Sequence, residues 1–495
     1  MLKNHYSELT GVYNFIRTGL PLLAIFFLAL ILRIYNLDGE SYWLDEFYSV
    51  QLSRLTPPEI LNELALNQEN TPPVYYVLLH FWTALFGESE FATRLLSAVL
   101  GSFSVFLIYL FGKELMNKNT GLLASIILAV SPFQVYYSQE ARTYTLLVVI
   151  TLINNYFFFR LLSSYNLKLV SGYLLSGALL IYTHYFWVFY IAAQNIYIFT
   201  KLSINVRGEW PGTRRWVLLQ FILLVIFLPG LQLLLTAHAL SEGFWIERPN
   251  IKAVVGTFLE FSGSYPLLVL FFLLSLYKIL TVLGTYGKSA LGQICSRSDN
   301  ITRDPAFSNI DRTYLLIVLL FVPVILPFLV SVTVKPVYIP RYMIGACPAL
   351  FILVSAGIDN LKSNRIKIFI VVLIAVLSLL QVYRDYQSVD KHQWRDAAKY
   401  LDENAARGDL IVVSPDFEME SLEHYLKRTD LRIKPLPRDP DLDFDLRGET
   451  IWVISAYHGD RNNAVNGDSL NEHNTLLSEQ AFTKIKIYHL TGRSN

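Results

Sequence analysis

Apolar runs long enough to cross a membrane recur through the first 384 residues of this chain and stop there. A helical span takes roughly 20 apolar residues, fewer where the helix is shielded or the bilayer thins. By that rule spans are predicted near residues 18–35, 92–110, 122–137, 143–162, 170–183 and 185–200, then near 216–235, 265–283, 314–334, 343–358 and 368–383, eleven in all. A polar stretch, 36–73, follows the first. Within it 45–55 and 58–67 read as short amphipathic helices on the membrane surface, separated by Pro57-Pro58 and ended by Thr71-Pro72-Pro73. Residues 74–86 form an apolar run too short to cross and read as a re-entrant or interfacial helix, and 250–263 reads as another surface helix.

Beyond residue 384 the pattern changes to alternating short helices and strands: helices over 394–404 and 418–426, strands over 410–414, 451–455 and 484–490. This predicts a small α/β domain over 385–495, set after an α-helical polytopic membrane domain over 1–384 whose first outer loop spans 36–91. No internal repeat stands out. Residues 15–32 are too long for a signal-peptide core and lack a small-residue cleavage site, so they read as an anchor.

Composition agrees with the pattern. The chain is 53% hydrophobic and 16% charged, against about 25% charged in soluble domains. The aromatic-rich runs lack the alternation of an outer-membrane barrel. Its net charge of +1 divides unevenly, with −6 from Asp385 onward and +7 before it. No basic run suggests nucleic acid. Cys295 and Cys347 fall in a predicted cytoplasmic loop and a predicted span, so no disulfide framework is implied. Lys113, Lys118, Arg160, Lys168, Lys201, Arg214, Arg215, Lys278, Lys288 and Arg312 fall on one predicted side. The other side holds fewer cations, so the first should be cytoplasmic. The N-terminus is then inside, and the 36–73 loop and the C-terminal domain are outside.

On the predicted outer side lie Asp45, Glu46, His80, Glu140, Arg142, His184, Lys335 and Arg341. Asp45-Glu46 sits among Tyr42, Trp43, Phe47 and Tyr48, surroundings that can tune a carboxylate toward general-base work. The same pair would equally serve as a helix N-cap with an acidic first turn. Arg142, in Tyr137-Ser138-Gln139-Glu140-Ala141-Arg142, offers a fork suited to phosphate, or an ion pair with Glu140. Residues 170–200 carry no formal charge, and their one break, Thr183-His184-Tyr185, puts His184 either in a cavity or in a satisfied buried position. Lys335 and Arg341, in a proline-restricted loop, can meet a lipid-carrier phosphate or ordinary headgroups. No cluster has metal-ligand spacing.

Taken in order, Leu44-Asp45-Glu46, Thr71-Pro72-Pro73 with Tyr75 to Trp82, Tyr137 to Arg142, Thr183-His184-Tyr185 and Pro340-Arg341-Tyr342 resemble the membrane glycosyltransferases of the GT-C fold. The likeness is to the bacterial aminoarabinose transferases and Rhizobium-type lipopolysaccharide galacturonosyltransferases, distantly related to the protein O-mannosyltransferases. It covers residues 37 to about 342, while the C-terminal domain matches poorly. The resemblance implies inverting transfer of a sugar from a polyprenyl-phosphate donor to a cell-envelope acceptor (glycolipid, polysaccharide or protein) at the outer face of the plasma membrane. On this chain it implies Asp45 as general base and Glu46 in support. Arg142, Arg341 and Lys335 would bind the donor phosphate, while Glu140, Tyr144, His184, Tyr185, Tyr342 and His80 would line the donor and acceptor cavity. A divalent metal is not indicated, its need varying across the fold. A lipid transporter or flippase is the rival class, and it would favour repeated halves with charges at the midplane.

Overall fold

The computed structural model describes residues 19–66, 71–204, 212–240, 246–295, 308–436, 450–457 and 474–492. The expected helix limits at 18 and 67, and part of the 15–32 anchor, lie outside these residues. Contacts divide the chain into two compact units. One comprises Met1–Tyr35, Leu52–Gly87 and Ala92–Asp385, and the other Asn36–Gln51, Glu88–Phe91 and Tyr386–Asn495. The second unit therefore takes up pieces of the first polar loop along with the C-terminal residues.

In chain order the helices are α1 (Leu20–Ile34), α2 (Leu44–Ser53), α3 (Pro57–Leu66), α4 (Val74–Phe86), α5 (Glu90–Leu115), α6 (Lys118–Val130), α7 (Pro132–Ser138) and α8 (Tyr144–Ser163). They continue as α9 (Leu167–Ile181), α10 (Trp187–Ile204), α11 (Thr213–Leu240), α12 (Ile251–Ser262), α13 (Tyr265–Cys295), α14 (Asn309–Thr333), α15 (Cys347–Asp359) and α16 (Asn364–Gln387), with a 3-10 turn Pro340–Ala346 before α15. Among the described residues seven helices have the length and apolarity of a crossing, eight if one bent pair is a single span. The chain is thus a multi-pass membrane protein. The expected total of eleven draws on segments that are shorter here, including Leu20–Ile34 and Leu167–Ile181.

The expected span 122–137 is broken: α6 and α7 meet at 58°. Pro132 has no N–H to continue the ladder, and Ser131 turns its hydroxyl to accept from Gln134 N–H (3.4 Å). The carbonyls this break leaves open are met by Arg33, which is fully buried. Its guanidinium donates to Leu128 O (3.2 Å), Ala129 O (3.0 Å), Ala29 O (3.1 Å) and Ser138 Oγ (3.1 Å). A cation there also faces the negative end of α6. Gly101 lies against this cluster, where a methyl group would collide with Ser138 Oγ.

Deeper in this unit, polar side chains join α8 to α11 in one network. Gln194 Nε2 donates to Asn154 Oδ1 (2.8 Å) and Asn155 Oδ1 (3.0 Å), and its Oε1 accepts from Tyr173 Oη (2.9 Å). Gln220 donates to Tyr173 Oη (3.1 Å) and accepts from Asn195 Nδ2 (3.2 Å). Trp216 Nε1 closes the set on Asn195 Oδ1 (2.8 Å). Such bonds hold apolar helices in register where no water competes.

The second unit is built on a five-stranded sheet, order β2-β1-β3-β5-β4. β1 (Leu410–Ser414) runs parallel to β2 (Arg432–Pro435) and β3 (Thr450–Ala456). β5 (Ile485–Gly492) is antiparallel to β3, and β4 (Asn474–Phe482) is the outer antiparallel edge. The amphipathic α17 (Trp394–Asn404) buries Trp394, Ala397, Ala398 and Leu401 with Ile411, Val413 and Leu422 of β1 and α18 (Met419–Tyr425).

Candidate functional site

The 139–143 turn after α7 is tight, with Arg142 N–H on Glu140 O (2.8 Å). Both side chains are buried. Arg142 Nη1 donates to Tyr76 Oη (3.2 Å) and Nη2 to Thr71 Oγ1 (3.4 Å). The Thr71-Pro72-Pro73 stretch is held beside it, because Val74 N–H donates to Tyr182 O (3.0 Å). Thr143 Oγ1 in turn donates to Thr183 O (3.0 Å). Three motifs separated along the chain are therefore stitched together by backbone and side-chain hydrogen bonds.

His184 sits in the turn between α9 and α10, buried, and its Nδ1 accepts from Phe186 N–H (3.1 Å). The proton of the neutral ring is accordingly assigned to Nε2. Burial lowers the ring to about 3, helped by Arg142 and Arg341, whose charges both act on it. A neutral imidazole adds no third charge to the two guanidiniums, which stay protonated at any working pH. Tyr342 packs on His184 (4.9 Å between centroids), on Phe186 (5.2 Å) and, stacked, on Tyr144 (6.5 Å). The Arg341 guanidinium lies over the Tyr342 ring (5.6 Å) and the Tyr144 ring (6.0 Å). Tyr190 anchors the 3-10 turn by donating to Tyr342 O (3.0 Å) and accepting from Gly345 N–H (3.1 Å). The structure thus brings together Arg142, Arg341, His184, Tyr144 and Tyr342, with Glu140 in the same turn as Arg142.

Two cations confined near a neutral histidine and aromatic faces are chemically suited to hold an anion. Arg forks match phosphate geometry, and their attraction strengthens as water is excluded. One residue of this neighbourhood escaped the sequence reading. Glu260 is the single acid of α12, and the protein packed around its carboxyl raises it to about 7, with Arg341 opposing the rise. α12 is fixed there by Asn250, whose side chain caps Lys252 N–H, and by Thr257 Oγ1 against Tyr338 Oη (2.8 Å). Its helical period, with one carboxylate among apolar residues, was the available signal.

The other sequence candidates fall differently. His80 Nδ1 is 2.9 Å from Ser53 O, which ties α4 to the end of α2. Lys335 and Tyr185 are half-buried. Among the described residues no three His, Cys, Asp or Glu side chains gather as metal ligands do.

Asp45 and Glu46 belong to the second unit. Phe47 N–H donates to Trp43 O (3.0 Å), so Trp43 holds the cap position and the two acids lie in the first turn of α2. The N-cap reading of Asp45 is corrected accordingly, while the helix dipole still favours both charges. Their environments differ. Asp45 is half-buried, whereas Glu46 is wholly buried and ion-paired to Lys391 (Oε2 to Nζ, 2.9 Å). Lys391 could not be found from sequence, since 345 positions separate the partners.

Residues 70–232 match the family model described as dolichyl-phosphate-mannose-protein mannosyltransferase. An uncharacterized protein of Aquifex aeolicus (strain VF5) is 32% identical over 111 residues, 21% of this chain and 22% of that relative. The match therefore spans under a quarter of the curated relative. Among solved structures, ArnT from Cupriavidus metallidurans bound to undecaprenyl phosphate is similar over 95% of this chain and 98% of its own, with 13% identity and TM-score 0.56. The archaeal oligosaccharyltransferase AglB from Archaeoglobus fulgidus, in complex with an inhibitory peptide and a dolichol-phosphate, is similar over 84% of this chain and 64% of its own, with 14% identity and TM-score 0.50. The chain has the GT-C fold, carrying a small C-terminal sheet domain.

Proposed function

We propose that this chain is an inverting glycosyltransferase that moves a sugar from a polyprenyl-phosphate donor to a cell-envelope acceptor at the outer face of the plasma membrane. The observation that carries this reading is the meeting of Arg142 and Arg341 around a neutral His184 at the breaks between apolar helices. A prenyl tail needs apolar surface, and its phosphate needs fixed cations where that surface ends. Arg142 and Arg341 hold the carrier phosphate and stabilise the charge it gains as leaving group. Lys335 adds a third cation, Tyr144 and Tyr342 offer faces to the sugar, and Glu140, Tyr185 and His80 shape the surroundings.

Asp45 is assigned the general-base role toward the acceptor hydroxyl, being only half-buried where Glu46 is wholly buried and ion-paired. The fold shared with the undecaprenyl-phosphate complex of ArnT and the family match over 70–232 favour lipid-carried sugar over lipid transport.

Membranes from a strain lacking this chain hold both the donor pool and the unmodified acceptor, and so provide the assay. Adding the purified chain should convert polyprenyl-phosphate sugars to free polyprenyl phosphate, read by mass spectrometry. Asp45→Asn should slow that conversion by about a hundredfold or more while still binding undecaprenyl phosphate. Arg142→Ala and Arg341→Ala should each weaken undecaprenyl phosphate binding by about tenfold to a hundredfold. Full conversion by Asp45→Asn would remove Asp45 from its role, and unchanged binding in both arginine variants would dissolve the phosphate site.

A further inference from the structure

The buried Glu46–Lys391 pair stands next to Asp45 in the chain, and the C-terminal segment supplies its cation. Glu46 is wholly buried and the Lys391 side chain is 7% exposed. Desolvating both charges costs about what their attraction returns, so such a pair is weak evidence for stability and stronger evidence for a fixed geometry. The pair is not alone. Glu40 Oε1 accepts the backbone N–H groups of Asp390 (2.7 Å) and Lys391 (3.1 Å). Arg395 donates to Asp38 O (3.1 Å) and Glu90 Oε1 (2.6 Å), while its own N–H meets Ser41 Oγ (3.1 Å). Tyr425 Oη accepts from Tyr42 N–H (2.8 Å) and donates to Glu90 Oε1 (2.9 Å), and His424 packs on Tyr42 and Phe47.

These anchors grip residues 38–42 ahead of α2, His424 packs on Phe47 in its first turn, and Lys391 supplies the ion pair to that turn. Successive residues of a helix point about 100° apart, so tethering Glu46 inward fixes where Asp45 can aim.

We propose that Lys391 is a positioning residue for the transfer reaction. By neutralising and tethering Glu46 it sets the rotation of the first turn of α2, and with it the direction of the Asp45 carboxylate. The C-terminal domain is then part of the catalytic apparatus through its first ten residues. This rests on the reading of Asp45 as the base.

The test uses the full chain in nanodiscs, the strain-derived membranes above, and three variants: Lys391→Met, Lys391→Arg, and the exchanged pair Glu46→Lys with Lys391→Glu. Lys391→Met should speed amide hydrogen exchange in 44–51 without changing it in 144–163. It should also lower the rate at saturating donor extract by about a hundredfold, as displaced catalytic groups do, leaving the half-saturating extract concentration unchanged. Lys391→Arg should restore most of the rate and the exchanged pair part of it. Wild-type exchange and rate in Lys391→Met would overturn the proposal, as would a loss of protection throughout the chain that Lys391→Arg fails to repair. A wild-type chain that converts nothing would sink the base reading and this proposal together. A wild-type chain matched in rate by Lys391→Met would sink this proposal alone.

Discussion

Arg142 and Arg341 bring two fixed charges to bear on a histidine that stays neutral because it is buried between them. Its ordinary value of 6.5 falls to about 3, so the folded chain resists a proton that the unfolded chain accepts. Stability is therefore complete above about pH 6.5 and declines as the pH falls toward 3, the window in which only the unfolded state is protonated. The loss of thermal midpoint between pH 7 and pH 5 should be larger in the wild type than in His184→Asn. The asparagine can still accept from Phe186 N–H but does not titrate. Equal slopes would show that His184 does not govern the acid limb. Arg142, His184 and Arg341 were each legible as residues, because charge is rare in such apolar surroundings. The differing environments of Asp45 and Glu46 were not legible, since burial of Glu46 depends on a lysine 345 positions away.

At the scale of the element, a single proline divides the expected span 122–137 into α6 and α7, and one arginine from α1 repairs the break. Replacing Arg33 by Met keeps the bulk but leaves the carbonyls of Leu128 and Ala129 without these donors. A lost partner for a buried group costs about 1–3 kcal/mol, so Arg33→Met should lower the melting temperature in detergent. An unchanged midpoint would mean that water has taken the guanidinium's place. Most elements were readable from their periods: β1 and α17 have the expected limits, and α12 lies within 250–263. The strands β2 and β4 were missed for a physical reason. Both are sheet edges, and β2 is a four-residue Arg-Ile-Lys-Pro segment whose charges and proline suit an edge and mask a strand pattern.

For the whole molecule, the cation bias across the loops sets the expected orientation, with N-terminus inside and C-terminal domain outside. Single cysteines introduced at Ser164, in the turn between α8 and α9, and at Glu420, in α18, test it, since both positions are exposed. A membrane-impermeant maleimide should label Glu420→Cys on intact cells and Ser164→Cys only after permeabilisation; the reverse pattern would invert the topology. The switch from long apolar runs to short alternating elements near residue 384 was visible along the chain. The folding of 36–51 and 88–91 with the C-terminal residues was not visible, because it is made by contacts between distant positions rather than by any local period.

That interleaving has a bearing on how such proteins can recombine. A cut at residue 385 would divide Glu46 from Lys391 and Tyr42 from Tyr425. A chimera that imports a relative's C-terminal domain alone inherits half of each pair. The heritable block is instead discontinuous, comprising Asn36–Gln51, Glu88–Phe91 and Tyr386–Asn495, and its three pieces should be exchanged, or diverge, together.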